Sequence, residues 1–251
     1  MTTHLPFSTP SDWDCIKLVV FDVDGTLYNQ RLLRLRIARD LILHSLLQRN
    51  LTVLSVLKVY RTIREKLAEE EISDFDVILI AEVASRVGCT PETVRVIVAE
   101  WIEKRPLPYL LRCRYPHLLD VFDGLKRKHI CIGILSDYPA RAKIAALGLT
   151  ADYIVSSGDD GVGFLKPHPR GLEFLMAKAG VNAAATVFIG DRIERDGLVA
   201  QRMGVKSLIR SARPVEGWQT FASYKASLFA PLVAVSLPRP SGSVKNFTTA
   251  L

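Results

Sequence analysis

Apolar residues recur along this chain in two rhythms. Short, mostly apolar runs bounded by turn residues occur at 16–21 (IKLVVF), 130–135 (ICIGIL), 153–157 (YIVSS), 186–190 (TVFIG) and 205–209 (VKSLI). Runs of this length predict strands of a buried parallel sheet. Helical spacing appears at 115–129 and near 139–147, 168–179 and 194–203. Strands alternating with helices predict an α/β protein, a Rossmann-like parallel sheet covered on both faces.

Residues 29–115 break that alternation. RLLRLRIARDLILHSLLQ, LTVLSVLKVYRTIREKLAEEE, SDFDVILIAEVASRVG and TPETVRVIVAEWIEKR all repeat at helical spacing. The third opens on a Ser/Asp cap and stops at Gly88; the fourth opens on Thr90 with Pro91 at its first turn. The expected organisation is a core over 1–28 and 116–212, an all-helical insertion over 29–115, and a C-terminal extension over 213–251. FASYKASLFAPLVAV in the extension predicts one more packed element, and 237–251 is expected to be loosely ordered.

Composition narrows the partners. The 251 residues are 49% apolar and 24% charged, ordinary for a globular enzyme. A net charge of +7 favours acidic ligands, yet basic residues cluster only in RLLRLR (31–36) and KRK (126–128), without interleaved aromatics. A small phosphorylated substrate suits that charge and a nucleic acid does not. Cys15, Cys89, Cys113 and Cys131 show no CxxC spacing and are expected to be reduced core thiols. The first 15 residues have no signal-peptide pattern, and 41–57 is too short and too polar to span a membrane. A soluble cytoplasmic protein without a membrane partner is expected; the pattern leaves its oligomeric state open.

Candidate chemistry sits where the predicted strands end, which is where open α/β sheets bind ligands. Asp22 and Asp24 follow the first strand, with Gly25 and Thr26 directly after them. Such a pair serves as a metal site, as a nucleophile with its acid/base partner, or only as a polar turn. Ser136 ends the second strand, Lys166 lies in the loop after the third, and Asp191 and Asp196 follow the fourth. Four carboxylates in one crevice repel unless a cation joins them, and all-oxygen ligation favours Mg²⁺. Lys166 would offset the remaining charge. The Ser136 hydroxyl and the Asp137 backbone N–H would bind a phosphoryl oxygen, and Gly25 would let backbone approach the ligand.

DVDGTL, Ser136, LKPHP and GDRIERD, in that order, resemble the four signature motifs of the haloacid dehalogenase (HAD) superfamily. The helical insertion between the first two resembles the α-helical cap of its phosphoglycolate phosphatase-like subgroup. The resemblance implies a Mg²⁺-dependent phosphatase in which Asp22 attacks phosphorus and forms an aspartyl-phosphate, while Asp24 serves as acid and then base. It implies metal ligation by the Asp22 carboxylate, the Asp24 carbonyl and Asp191, with Asp196 helping, and phosphoryl binding by Ser136 and Lys166. The cap would close over the site. Asp137 departs from the usual asparagine, and its carboxylate would tune substrate or metal preference. A dehalogenase has no need of Asp24, and neither Lys58, Lys66 nor Lys104 stands out as a phosphonatase lysine. A phosphomutase of the β-phosphoglucomutase type, or a non-catalytic binding module, would share the motifs. Tyr28 and Asn29 read as a hinge or a substrate contact, Glu194 and Arg195 as surface residues, and Arg31 with Arg34 as attractors for a second anionic group.

Overall fold

The computed structural model describes residues 10–49 and 51–233. The expectations for the signal-peptide region (apart from residues 10–15) and for 237–251 lie outside these residues. The core is a six-stranded sheet in the order β3-β2-β1-β4-β5-β6, parallel at every pairing. Its strands are β1 Leu18–Phe21, β2 Cys131–Ser136, β3 Tyr153–Ser156, β4 Thr186–Gly190, β5 Lys206–Arg210 and β6 Thr220–Phe221. All four β1 residues are buried, as a central strand covered on both faces requires.

The chain leaves β1, builds β2 and β3 on one side, and returns to build β4, β5 and β6 on the other. The order therefore reverses between β1 and β4, and the crevice at their carboxyl ends is the topological switch point. α6 (Leu118–Arg127), α7 (Arg141–Ala146), α8 (Arg170–Ala179), α9 (Leu198–Arg202) and α10 (Ala230–Val233) belong to this core. Two apolar clusters lie on opposite sheet faces: Val19, Phe21 and Ile132 point into one, Leu18, Val20 and Phe188 into the other.

Between β1 and β2 stand α1 (Gln30–Gln48), α2 (Thr52–Glu69), α3 (Phe75–Val87), α4 (Pro91–Val98) and α5 (Leu107–Cys113), with a π-helical turn at Ala99–Lys104. The Asn29 side chain caps α1 by accepting from Leu32 N, and Thr90 caps α4 by accepting from Thr93 N. The expected Ser/Asp cap of α3 is not formed. Asp74 sits in the left-handed region and makes no side-chain cap, while its N–H donates to Gly163 O at 2.9 Å. The two chain crossings into the helical block run side by side. Tyr28 bridges Arg114, Asn29 N donates to Cys113 O, and Tyr115 N donates to Leu27 O.

The extension packs against the core through buried Phe221, Tyr224, Phe229 and Leu232. Its Tyr224 hydroxyl donates to Thr26 O at 2.9 Å, so this segment braces the turn after β1. Of the cysteines only Cys113 is buried; Cys15 is exposed, against the expectation of core thiols, and all four are free.

Candidate active site

The strand-end residues converge as the sequence predicts. β1 delivers Asp22 and Asp24, β2 delivers Ser136, the loop after β3 delivers Lys166, and β4 delivers Asp191 and Asp196. Lys166 is the hub. Its Nζ donates to Asp22 Oδ1 and to Asp196 Oδ1, each at 2.6 Å, and the side chain is buried. Burial would lower the ammonium, but Asp196 and Asp22 more than reverse this and keep it charged. Thr26 Oγ1 donates to Asp22 Oδ2 at 3.1 Å, so both oxygens of Asp22 are held in place.

Asp22, Asp191 and Asp196 each bring a carboxylate oxygen within 4.8 Å of the others. Both oxygens of Asp196 are already engaged, one by Lys166 and the other by the amides of Asp191 and Arg192 at 3.0 Å. Asp191 Oδ1 is different, being buried with no hydrogen-bond partner among the described residues. A buried carboxylate oxygen without a donor is costly and calls for a cation. Gly25 makes room for it: at φ +99°, a Cβ there would lie 2.1 Å from Asp191 Oδ2. The glycine expected to admit a ligand admits the Asp191 carboxylate. An all-oxygen set of this kind fits a hard divalent ion.

Burial, then repulsion from Asp196, pushes Asp191 up to about 7. Burial also dominates at Asp22, where Asp196, Asp191 and Asp24 add to it and outweigh Lys166. The folded protein therefore binds the Asp191 proton more tightly than the unfolded chain does. Its contribution to stability is present below the unfolded value of 3.8 and is lost as pH rises through about 7. In chelator, urea denaturation should show stability falling over that interval by up to about 4 kcal/mol. Asp191→Asn should flatten the slope; an unchanged slope would show that Asp191 is not strained in this way.

Asp24 stands apart from the three acids. Its carboxylate accepts from Lys143 Nζ at 2.7 and 2.9 Å and from the Tyr28 hydroxyl. Burial would raise Asp24, but the Lys143 charge and these hydrogen bonds hold it below the usual carboxylate range. Sequence reasoning missed Lys143. It lies in the first turn of α7, directly beyond the carboxyl end of β2, and that position is the signal that would have found it. Tyr28, at the crossing into the helical block, is a buried partner of Asp24.

Ser136 is buried, and its Oγ accepts from Tyr138 N at 3.2 Å. The Asp137 carboxylate accepts from Ser157 Oγ at 3.0 Å and Lys166 N at 2.9 Å, so it ties β2 to the lysine loop. Arg195 corrects an expectation. It is buried, not a surface residue, with Nη1 donating to Lys166 O at 2.8 Å and Nη2 to Glu65 Oε2 at 2.6 Å. Glu194 is exposed, as expected. Arg192 also grips Glu65, at 2.9 Å, and buried Arg64 of α2 donates to Asp137 O while its guanidinium lies 4.2 Å from the Tyr138 ring centre. These contacts hold α2 against the mouth of the site. Arg31 and Arg34 are exposed on α1.

Known proteins resemble this chain in sequence and in fold. The chain is 25% identical over 195 residues to a glyceraldehyde 3-phosphate phosphatase of Methanocaldococcus jannaschii, covering 76% of this chain and 82% of that protein. The corresponding phosphatase of Methanopyrus kandleri is 26% identical over 197 residues, with the same coverage. In fold, the chain resembles the 2-haloacid dehalogenase of Pseudomonas syringae pv. Tomato DC3000, with a TM-score of 0.58 at 20% identity, covering 83% of this chain and 95% of the other. The family model for haloacid dehalogenase-like hydrolases matches residues 16–204, which hold every strand-end residue of the site. The chain belongs to the haloacid dehalogenase-like hydrolase family.

Proposed function

We propose that the protein is a Mg²⁺-dependent phosphatase that hydrolyses a small phosphorylated metabolite through an aspartyl-phosphate on Asp22. The observation that carries this reading is Asp24, a half-buried acid two residues beyond the nucleophile, held by Lys143 and Tyr28. Displacing a halide requires no proton donor, whereas displacing an alkoxide does. The phosphatases among its relatives support the same reading.

In this mechanism an Asp22 oxygen attacks phosphorus, the ester P–O bond breaks, and Asp24 protonates the departing oxygen. Water then gives its proton to Asp24 and attacks the aspartyl-phosphate, releasing phosphate and Asp22. Asp24 is ionised in the free site, and a phosphate dianion arriving beside it raises its proton affinity by like-charge repulsion. Ser136, the Asp137 amide and Lys166 hold the phosphoryl oxygens, while Thr26 and Lys166 fix the Asp22 carboxylate. Asp22, Asp191 and the Asp24 carbonyl would hold Mg²⁺, which would supply charge neutralisation on the phosphoryl group when bound. Asp196 positions Lys166 and the Asp191 loop. The helical block over 29–115 acts as the cap, latched to the core by Glu65 and Arg64, and its contacts select the leaving group.

Phosphate release from a panel headed by glyceraldehyde 3-phosphate tests the reading. Turnover is expected with Mg²⁺ and should drop by at least ~10²-fold in chelator. No release from any ester by the folded protein would overturn it. Lys143→Met should lower kcat by ~10²-fold with KM nearly unchanged, because Lys143 touches the acid and not the phosphoryl group. Lys143→Arg should recover part of the rate; equal losses in both variants, or a loss confined to KM, would remove Lys143 from this role.

A further inference from the structure

α1 presents an apolar face that none of the described residues covers. Leu35, Ile42, Leu43, Leu46 and Leu47 are between 58% and 73% exposed, whereas Leu33 and Ile37 on the opposite side are buried. At about 100° per residue, Leu35, Ile42 and Leu46 fall within roughly 40° of one another, and Leu43 and Leu47 widen the stripe. Monomeric soluble proteins rarely leave a continuous apolar stripe of this size open, and such patches mark docking surfaces.

Charge selects the occupant. Arg31, Arg34, Arg39 and Arg49 lie within or beside the stripe and are all exposed. The acid of this helix, Asp40, is half-buried and accepts from the Tyr109 hydroxyl at 2.5 Å and from Arg39 at 3.1 Å. The side chains of Arg31, Arg34 and Arg49 form no ion pair among the described residues. A second copy docked by a two-fold axis would set arginines against arginines with no acid of α1 between them. An anionic lipid surface answers both features, taking leucines at the acyl boundary while arginines reach the headgroups.

We propose that the outer face of α1 docks the protein on an anionic lipid bilayer, with the helix lying flat along the interface. Among the described residues no helix is long and apolar enough to cross a membrane. The expectation of no membrane partner rested on that missing span, and surface docking needs none. α1 begins two residues after Tyr28, so docking would orient the mouth of the site relative to the lipid surface.

Co-sedimentation of the full chain with vesicles tests this, using phosphatidylcholine alone or mixed equally with phosphatidylglycerol. Partition into the anionic vesicles only is expected. Leu35→Glu with Leu46→Glu should lower it by at least about tenfold, and Arg49→Ser by about fivefold. These side chains are exposed on the outer face of α1 and form no hydrogen bond or ion pair with the site residues, so thermal stability and hydrolysis of a soluble ester should stay unchanged in both variants. Absent binding by the wild type, or equal binding to neutral vesicles, would overturn the proposal. So would a wild-type dimer in light scattering that the double substitution converts to a monomer, which would assign the face to a second copy.

Discussion

Asp22→Asn is expected to reduce phosphate release by at least ~10⁴-fold while leaving the fold intact. An amide has no anionic oxygen with which to attack phosphorus, and the other carboxylates are engaged elsewhere, Asp191 keeping its one free oxygen for a cation. Asp24 faces Lys143 and Tyr28, and both oxygens of Asp196 are occupied. The stability of this variant separates a chemical loss from a structural one. Asp22 is buried beside three other acids, and its carboxyl is raised well above the usual range. Removing that charge relieves repulsion, while Lys166 keeps Asp196 as its partner at 2.6 Å. The melting temperature should therefore hold or rise as activity disappears. Retention of more than about one-hundredth of wild-type turnover would rule out Asp22 as the nucleophile, since no displacement mechanism survives loss of its only attacking atom.

Lys166→Met is expected to damage stability as well as rate. The ammonium is the cation between Asp22 and Asp196, buried and bonded to both. Removing one partner from a buried ion cluster leaves uncompensated charge and costs about 3–5 kcal/mol. In a domain of this size each kcal/mol lowers Tm by about 2–4 °C, so a fall of roughly 10 °C follows. The sign of its pH dependence is fixed. Lys166 is raised above its unfolded value, so its stabilisation is present below about 10.5 and is lost only above that. In the variant, Asp22 and Asp191 escape repulsion by binding protons, which they do more readily at low pH. The stability gap between variant and wild type should therefore be small near pH 4 and widen towards pH 8. Mg²⁺ should narrow it, because the three carboxylates remain. Melting curves at both pH values, with and without Mg²⁺, read this directly. A variant within about 2 °C of wild type at pH 8 without metal would show that Lys166 does not neutralise the cluster.

Much of this site is legible in the chain because it sits at strand ends. Strands of four to six residues are marked by apolar runs, and an open parallel sheet gathers their carboxyl ends into one crevice. That rule locates Asp22, Asp24, Ser136 and Asp191, and their joint order with Lys166 in the loop after β3 singles them out. The extension's packed element is legible for a related reason: Phe221, Tyr224 and Phe229 are too apolar to stay in water. Its hydrogen bond to the Thr26 carbonyl is not legible, because any tyrosine hydroxyl seeks an acceptor and 198 residues separate this pair.

The sequence by itself determined the α/β class, the order of the strands along the chain, the helical insertion and the acids at the crevice. Each follows from local periodicity or from position relative to a strand end. Only the tertiary structure decided how those groups are shared. Asp24 belongs to Lys143 and Tyr28, Asp196 spends its oxygens on Lys166 and two amides, and Asp191 keeps one oxygen free. Arg195 left the surface to join Lys166 and Glu65, against the helix-face reading. The physical reason is the same throughout. A buried charge takes the nearest opposite charge in space, and when partners stand 29 to 144 residues apart their distance is set by packing, which no local pattern records.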